Sequence, residues 1–153
     1  YRPEEVHYDG DKDAYMEQIV NQTVLILTNE PADIFANATY IPDDMNEEYA
    51  KYWTDERVDR VLDVMQKYDI ALEISARYKI PSKDVIKKAK ARGLKFTFGT
   101  NNVDANFGQL EYCIECVKDC GLTKEDMWCP TRSKRAQHPV TIYNDFSQIK
   151  MQY

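Results

Sequence analysis

The sequence predicts an α/β protein with a parallel sheet. Segments with helical periodicity alternate with short apolar segments, at roughly 25–35 residues per helix–strand unit. The apolar segments lack polar alternation, as expected for parallel strands that are covered on both faces. Either a small open sheet or part of a βα barrel fits this pattern. A length of 153 residues and 43% hydrophobic residues allow one folded domain with a core.

The first part of the chain contains a predicted helix, a strand and a long connection. Residues 11–28 have helical spacing of apolar side chains, and Asp11 or Asp13 can cap this helix. Residues 33–38 are short and largely apolar, which predicts a buried strand. The connection over residues 39–53 is long for a structureless loop. We therefore expect a functional or partner-facing segment with a short helical turn.

The middle of the chain repeats the pattern twice. Thr54 is a suitable N-cap for a second helix, and the apolar residues 70–75 predict a second strand. Ser82 caps a third helix that ends at Gly93. Residues 95–100 predict a third strand. These units are the basis of the parallel arrangement.

A fourth helix is predicted over residues 106–120 and carries three cysteines. Cys113, Cys116 and Cys120 lie at positions i, i+3 and i+7, which places the thiols on one helix face. Buried free cysteines commonly act as small apolar residues, so we interpret this stripe as core. A Cys-ligated metal site is the alternative.

Charge and composition restrict the classes of function. The chain has 20 Lys+Arg against 26 Asp+Glu, a net charge of −6, so we expect no nucleic acid as partner. Its longest apolar run is far shorter than the roughly 20 residues of a membrane helix, and we expect no membrane span. Only two histidines are present, which excludes a site with many imidazole ligands.

Polar residues cluster where the predicted strands end. In α/β proteins, ligands bind beyond the carboxyl ends of parallel strands. This rule selects Asn37, Thr39, Glu73, Ser75, Arg77, Thr100, Asn101, Asn102 and Asp104 as pocket candidates. The alternative is that the Asn and Asp residues form local turns and cap the next helix. Glu73 lies in an apolar strand, where a carboxylate must be paired, hydrogen-bonded or metal-bound.

Three strand-end motifs resemble a known family. The order of residues 33–37, 71–75 and 98–103 is similar to the C-terminal half of the PHP (polymerase and histidinol phosphatase) domain. The resemblance covers about residues 15–130 and implies a distorted βα barrel that binds divalent metal (Mn, Zn or Fe) and hydrolyses phosphoesters. We therefore predict a partial PHP-like barrel domain over residues 1–130. The pattern of helices and strands ends at residue 131, and residues 131–153 are predicted as a C-terminal tail or extra strand.

The metal-binding motifs of that family are altered in this chain. Asn37, Asn101 and Val103 stand where the family has His, Asp and His. Amide oxygens bind divalent ions more weakly than carboxylate or imidazole, and Val provides no ligand. The remaining metal candidates are Glu73, Asn101 and Asp104.

Two functions follow from these residues. The first is a PHP-type metal-dependent phosphoesterase (hydrolase) fragment with a degenerate metal site. The alternative is a non-catalytic binding module whose strand-end pocket takes a sugar, a phosphate ester or a protein partner. Because part of a barrel exposes strand edges, we expect association with a missing N-terminal half or with a second copy. The compartment, cytoplasmic or secreted, stays open.

Overall fold

The computed structural model describes residues 8–102, 105 and 107–130. It confirms the α/β class and the parallel sheet. Three strands, β1 (Ile34–Phe35), β2 (Ala71–Ser75) and β3 (Phe96–Gly99), lie in the order β1-β2-β3 and are all parallel. Beyond β3, Met127 forms a single parallel bridge to Phe96. Neighbours in the sheet are therefore neighbours in sequence.

Six α-helices are found in the part of the chain that the structure describes. They are α1 (Lys12–Asn29), α2 (Asp43–Asn46), α3 (Tyr49–Tyr52), α4 (Asp55–Tyr68), α5 (Lys83–Ala91) and α6 (Glu111–Asp119), and a 3-10 turn follows at Lys124–Asp126. The predicted caps are confirmed at three helices. Side chains of Asp11, Thr54 and Ser82 accept backbone N–H groups at the starts of α1, α4 and α5. Each bond satisfies a donor that the first turn leaves unpaired.

The register of the strands divides their side chains between the two faces of the sheet. Leu72 pairs with Phe96, and both are fully buried. Glu73 pairs with Thr97, and Ser75 pairs with Gly99. Because side chains alternate along a strand, these last four residues share the opposite face. One face of the sheet is thus apolar, whereas the other carries the polar residues of β2.

The core lies between the apolar face of the sheet and the helices. The buried stripe of α4 consists of Val58, Val61, Leu62 and Met65, as the helical spacing predicts. Cys113, Cys116 and Cys120 of α6 join the same core, which confirms their interpretation as packing residues. Burial is the main cause that raises the pKa of the Cys113 thiol to about 11. These thiols are therefore neutral at physiological pH.

Two predictions about element boundaries were wrong. β1 has only two residues, and Ile34 is 38% exposed, because β1 is an outer strand with one neighbour in the described sheet. The fourth helix begins at Glu111 instead of residue 106, since Gly108 has a left-handed φ of 69° that interrupts a helix. The helical turn predicted within residues 39–53 is confirmed, and this connection contains two short helices, α2 and α3.

Two further predictions concern the C-terminal residues and the closure of the sheet. Residues 131–153, predicted as a tail or extra strand, lie outside the described residues. Closure into a barrel is not seen within the described ranges, whose sheet has three strands. In the same ranges, no helix has both the length and the apolar character that a membrane crossing requires.

Candidate functional site

Four predicted residues meet at the carboxyl edge of the sheet. The Asn101 side chain donates through Nδ2 to Asn37 Oδ1 at 3.2 Å and to Ser75 Oγ at 2.7 Å. The backbone N–H of Asn37 donates to Glu73 Oε2 at 3.0 Å. All three strands thus contribute to one hydrogen-bonded group, which we call the strand-end cluster: Asn37, Glu73, Ser75 and Asn101.

The two asparagines of the cluster lie just after β1 and β3 in left-handed backbone conformation. Their φ angles are 50° for Asn37 and 48° for Asn101. Asn adopts this conformation more readily than most residues with a Cβ. The side-chain amide of Asn101 donates to Asn37 and Ser75, which lie 64 and 26 positions earlier in the chain. Asn101 therefore bridges strands instead of closing a local turn. The N-cap of α6 is Leu110, so neither Asn101 nor Asn102 caps that helix.

Gly99 makes room for the carboxylate of Glu73. A Cβ placed on Gly99 would lie 2.0 Å from Glu73 Oε1 and 2.5 Å from its Cδ. A side chain at residue 99 therefore requires the Glu73 carboxylate to move. Glu73 therefore lies across β3 because residue 99 has no side chain, and this position brings Oε2 to the N–H of Asn37.

The cluster uses its polar atoms unequally. Both hydrogens of Asn101 Nδ2 are donated within the cluster, so the amide atom left for a ligand is the acceptor Oδ1. Asn37 is the opposite case, because its Oδ1 accepts from Asn101 and, among the described residues, its Nδ2 hydrogens have no acceptor. The side chain of Glu73 is half-buried and accepts one hydrogen bond from the described part of the chain, at Oε2.

A cleft of about 280 Å³ adjoins the cluster at Asn101. The cleft is lined by Ala76, Arg77, Lys79, Thr100, Asn101, Asn102, Gln109, Glu111, Tyr112 and Glu115. Four of these residues (Arg77, Thr100, Asn101 and Asn102) are among the predicted pocket candidates.

Sequence reasoning missed several residues of this cleft. Lys79 comes from the connection between β2 and α5, and Tyr112 and Glu115 come from α6. The Tyr112 hydroxyl donates to the carbonyl of Pro81 at 2.6 Å, and burial raises its pKa. Tyr112 therefore joins α6 to the start of α5 and forms a neutral, fixed part of the wall.

One predicted candidate, Thr39, lies outside both the strand-end cluster and the described lining of the cleft. Thr39 is 4% exposed, and its Oγ1 accepts a hydrogen bond from the Tyr49 hydroxyl at 2.5 Å. It is therefore a structural contact beneath α3. Asp104 lies outside the described residues, as does Val103.

The described donors do not fit a divalent metal. Glu73 is the sole carboxylate of the strand-end cluster, and its Oε2 already accepts from Asn37. Within the described ranges, no three His, Cys, Asp or Glu side chains are grouped closely enough to hold an ion. Stable binding of Mn²⁺ or Zn²⁺ normally uses several carboxylate or imidazole ligands.

The chain was also compared with known proteins. Neither a family model, nor a curated protein, nor a solved structure matches it significantly.

Proposed function

We propose that the chain forms the C-terminal part of a PHP-like barrel and supplies the substrate-binding edge of a PHP-type phosphoesterase with a degenerate metal site. One observation carries the proposal. Asn37, Glu73 and Asn101 stand at the three strand ends that the family resemblance identifies, and hydrogen bonds join them at one edge of the sheet. Residues distant in sequence thus form one polar surface where α/β proteins bind ligands.

The strand order supports the barrel part of the proposal. Each strand lies beside its predecessor in sequence, and Met127 continues this progression next to Phe96. Barrels are built by such sequential addition, whereas doubly wound sheets reverse their strand order at a switch point. The polar face of β2 would then face the barrel interior.

Two of the four charged side chains that line the cleft support a phosphate ester as ligand. Arg77 and Lys79 lie within four residues of the end of β2, whereas the other two, Glu111 and Glu115, are carboxylates of α6. Guanidinium and ammonium groups are the side chains that most often bind phosphate oxygens. Asn101 belongs to the cleft and to the strand-end cluster, so a bound ester would contact both.

Hydrolysis requires more than the described residues provide. Under the enzyme hypothesis, a divalent metal (Mn, Zn or Fe) would be held chiefly by ligands outside them, with Glu73 as one contributor. The chain's own residues would bind and orient the ester. The expected partner is accordingly the N-terminal half of the barrel, or a second copy of this chain.

A second candidate function is a non-catalytic binding module that uses the same cleft. The observation in its favour is the donor set: the cluster has two neutral amides and one carboxylate. Amides form hydrogen bonds with a sugar or a phosphate ester, but two amides and a single carboxylate make a weak site for a divalent ion.

Turnover measurements separate the two functions. The full-length protein is incubated with p-nitrophenyl phosphate and added Mn²⁺, Zn²⁺ or Fe²⁺, and the ester's binding is measured in parallel. The phosphoesterase hypothesis expects metal-dependent turnover that Asn101→Ala reduces, with the exposed Asn46→Ala of α2 as control. Binding without turnover under any metal supports the binding module. Absence of both would refute both functions.

A further inference from the structure

We infer that the cleft is specific for a small phosphorylated polyol, with its phosphate on the Arg77 and Lys79 side and its hydroxyl groups on the Asn101 and α6 side. This inference rests on the proposed function and adds a ligand class to it. Its basis is the lining of the cleft, in which the cations and the acceptors come from different elements of the fold, and we call these two sets of residues the cationic wall and the acceptor wall.

The cationic wall is formed by the connection that follows β2. Arg77 and Lys79 lie two residues apart in it, and Lys79 has a left-handed φ of 51°. Within the described residues, Lys79 forms no ion pair, so its ammonium charge is not neutralised there. A phosphate dianion carries only acceptors and negative charge at neutral pH, and this wall complements it.

The acceptor wall is formed by Asn101 and the first turns of α6. The amide hydrogens of Asn101 are both donated to Asn37 and Ser75, so Oδ1 is its available atom. Glu111 and Glu115 also line the cleft and occupy successive turns of α6. Carboxylate and amide oxygens repel a phosphate dianion. Hydroxyl groups, in contrast, can donate to them.

A hydroxyl group suits this wall better than an ammonium group does. Glu115 already lies 3.5 Å from the ammonium of Lys83, which partly neutralises its charge. Asn101 is uncharged, and Glu111 is in the first turn of α6, where the helix dipole favours a negative charge without a further cation. These three acceptors are therefore better satisfied by hydrogen bonds donated from ligand hydroxyl groups than by a cationic ligand group.

The volume of the cleft limits the ligand to a small molecule. At about 280 Å³, it is slightly smaller than the roughly 300 Å³ at the lower end of typical ligand pockets. A phosphate group with a short hydroxylated carbon chain matches that size. Nucleotides and longer phosphorylated chains would extend into solvent.

Matched ligands test the inference by calorimetry on the full chain in metal-free buffer. Glycerol 3-phosphate and n-propyl phosphate have the same number of carbons, but only the former has hydroxyl groups. We expect glycerol 3-phosphate to bind about tenfold more tightly, the factor that corresponds to about 1.4 kcal/mol. O-phosphoethanolamine, with an ammonium in place of the hydroxyls, should bind no more tightly than n-propyl phosphate.

Variants assign the two walls separately. Lys79→Gln should weaken the binding of both esters about tenfold, whereas Lys118→Gln, at an exposed position of α6, should leave the affinity for both esters unchanged. Glu111→Gln and Asn101→Ala should both reduce the preference for glycerol 3-phosphate over n-propyl phosphate. Because Glu111 is exposed, Glu111→Gln should fold normally and provides the test if Asn101→Ala unfolds the chain.

Each outcome of the ligand series has a distinct meaning. Equal affinity for the glycerol and propyl esters, or tightest binding of O-phosphoethanolamine, overturns the polyol inference while leaving the proposed ester site intact. If inorganic phosphate and all three esters fail to bind, the phosphate-ester site itself is refuted, and the inference with it. Retention of the full glycerol preference in Glu111→Gln and Asn101→Ala would contradict the acceptor wall.

Discussion

Substituting Gly99 by Ala should displace the Glu73 carboxylate from the strand-end cluster. The added Cβ would lie 2.0 Å from Glu73 Oε1, whereas ordinary van der Waals contact begins near 3.4 Å, so the carboxylate must move by at least 1.4 Å (3.4 − 2.0). That movement breaks the 3.0 Å bond from the N–H of Asn37. A hydrogen bond to a charged group contributes about 1.5–3 kcal/mol. Because Glu73 is half-buried, we expect a loss of about 1.5 kcal/mol.

A double-mutant cycle measures this coupling. Urea unfolding followed by circular dichroism gives the free energy of unfolding for Gly99→Ala in wild-type and in Glu73→Ala backgrounds. The cost of about 1.5 kcal/mol should disappear in the second background, where the added methyl group meets no carboxylate. Gly93→Ala is the control: Gly93 has a φ of 77° with no atom near its added Cβ, so its cost should be equal in both backgrounds. If Gly99→Ala costs the same with and without Glu73, the steric argument is wrong.

Three further stability predictions follow from other contacts. Arg57 is 8% exposed and donates to Glu17 and to the Tyr52 carbonyl. Arg57→Met should therefore lower the free energy of unfolding in urea by about 2 kcal/mol, whereas Arg60→Met, at a more exposed position, should lower it by less than about 1 kcal/mol. Asp69 ends α4 with a left-handed φ of 54°. Because glycine adopts this conformation without strain, Asp69→Gly should stabilise the protein by about 1 kcal/mol and raise its melting temperature. A lowered melting temperature would contradict this prediction. Burial raises the pKa of the Cys113 thiol from 9.0 to about 11, so this thiol loses its proton at a lower pH in the unfolded chain than in the folded protein. The free energy of unfolding should therefore fall by about 2–3 kcal/mol as pH rises from 9 to 11. Cys113→Ala should flatten this pH dependence, and an unchanged slope would exclude Cys113 as its source.

Local signals in the sequence predicted much of the fold correctly. Thr54 and Ser82 cap helices because their hydroxyls satisfy nearby backbone donors, an interaction that needs no tertiary information. Helical spacing likewise placed Cys113 in the core. The start of α6 was missed because it depends on the conformation of Gly108, which the periodicity of residues 106–120 does not reveal.

The candidate site was only partly predictable. Asn37, Glu73 and Asn101 were found because parallel strands bring their carboxyl ends to one edge. Lys79 and Tyr112 were missed because their places depend on how the β2–α5 connection and α6 pack against each other. The sequence contains no local pattern that specifies this packing. The role of Gly99 was also hidden, since it depends on a side chain in the neighbouring strand.

The sequential strand order also determines the entropy of assembling the sheet. The paired positions Ile34 and Ala71 are 37 residues apart (71 − 34), Leu72 and Phe96 are 24 apart (96 − 72), and Phe96 and Met127 are 31 apart (127 − 96). Loop closure depends only logarithmically on length, so these three pairings differ by no more than about 0.4 kcal/mol in closure cost. No pairing is entropically privileged, and the sheet can therefore grow from any of its units toward either edge.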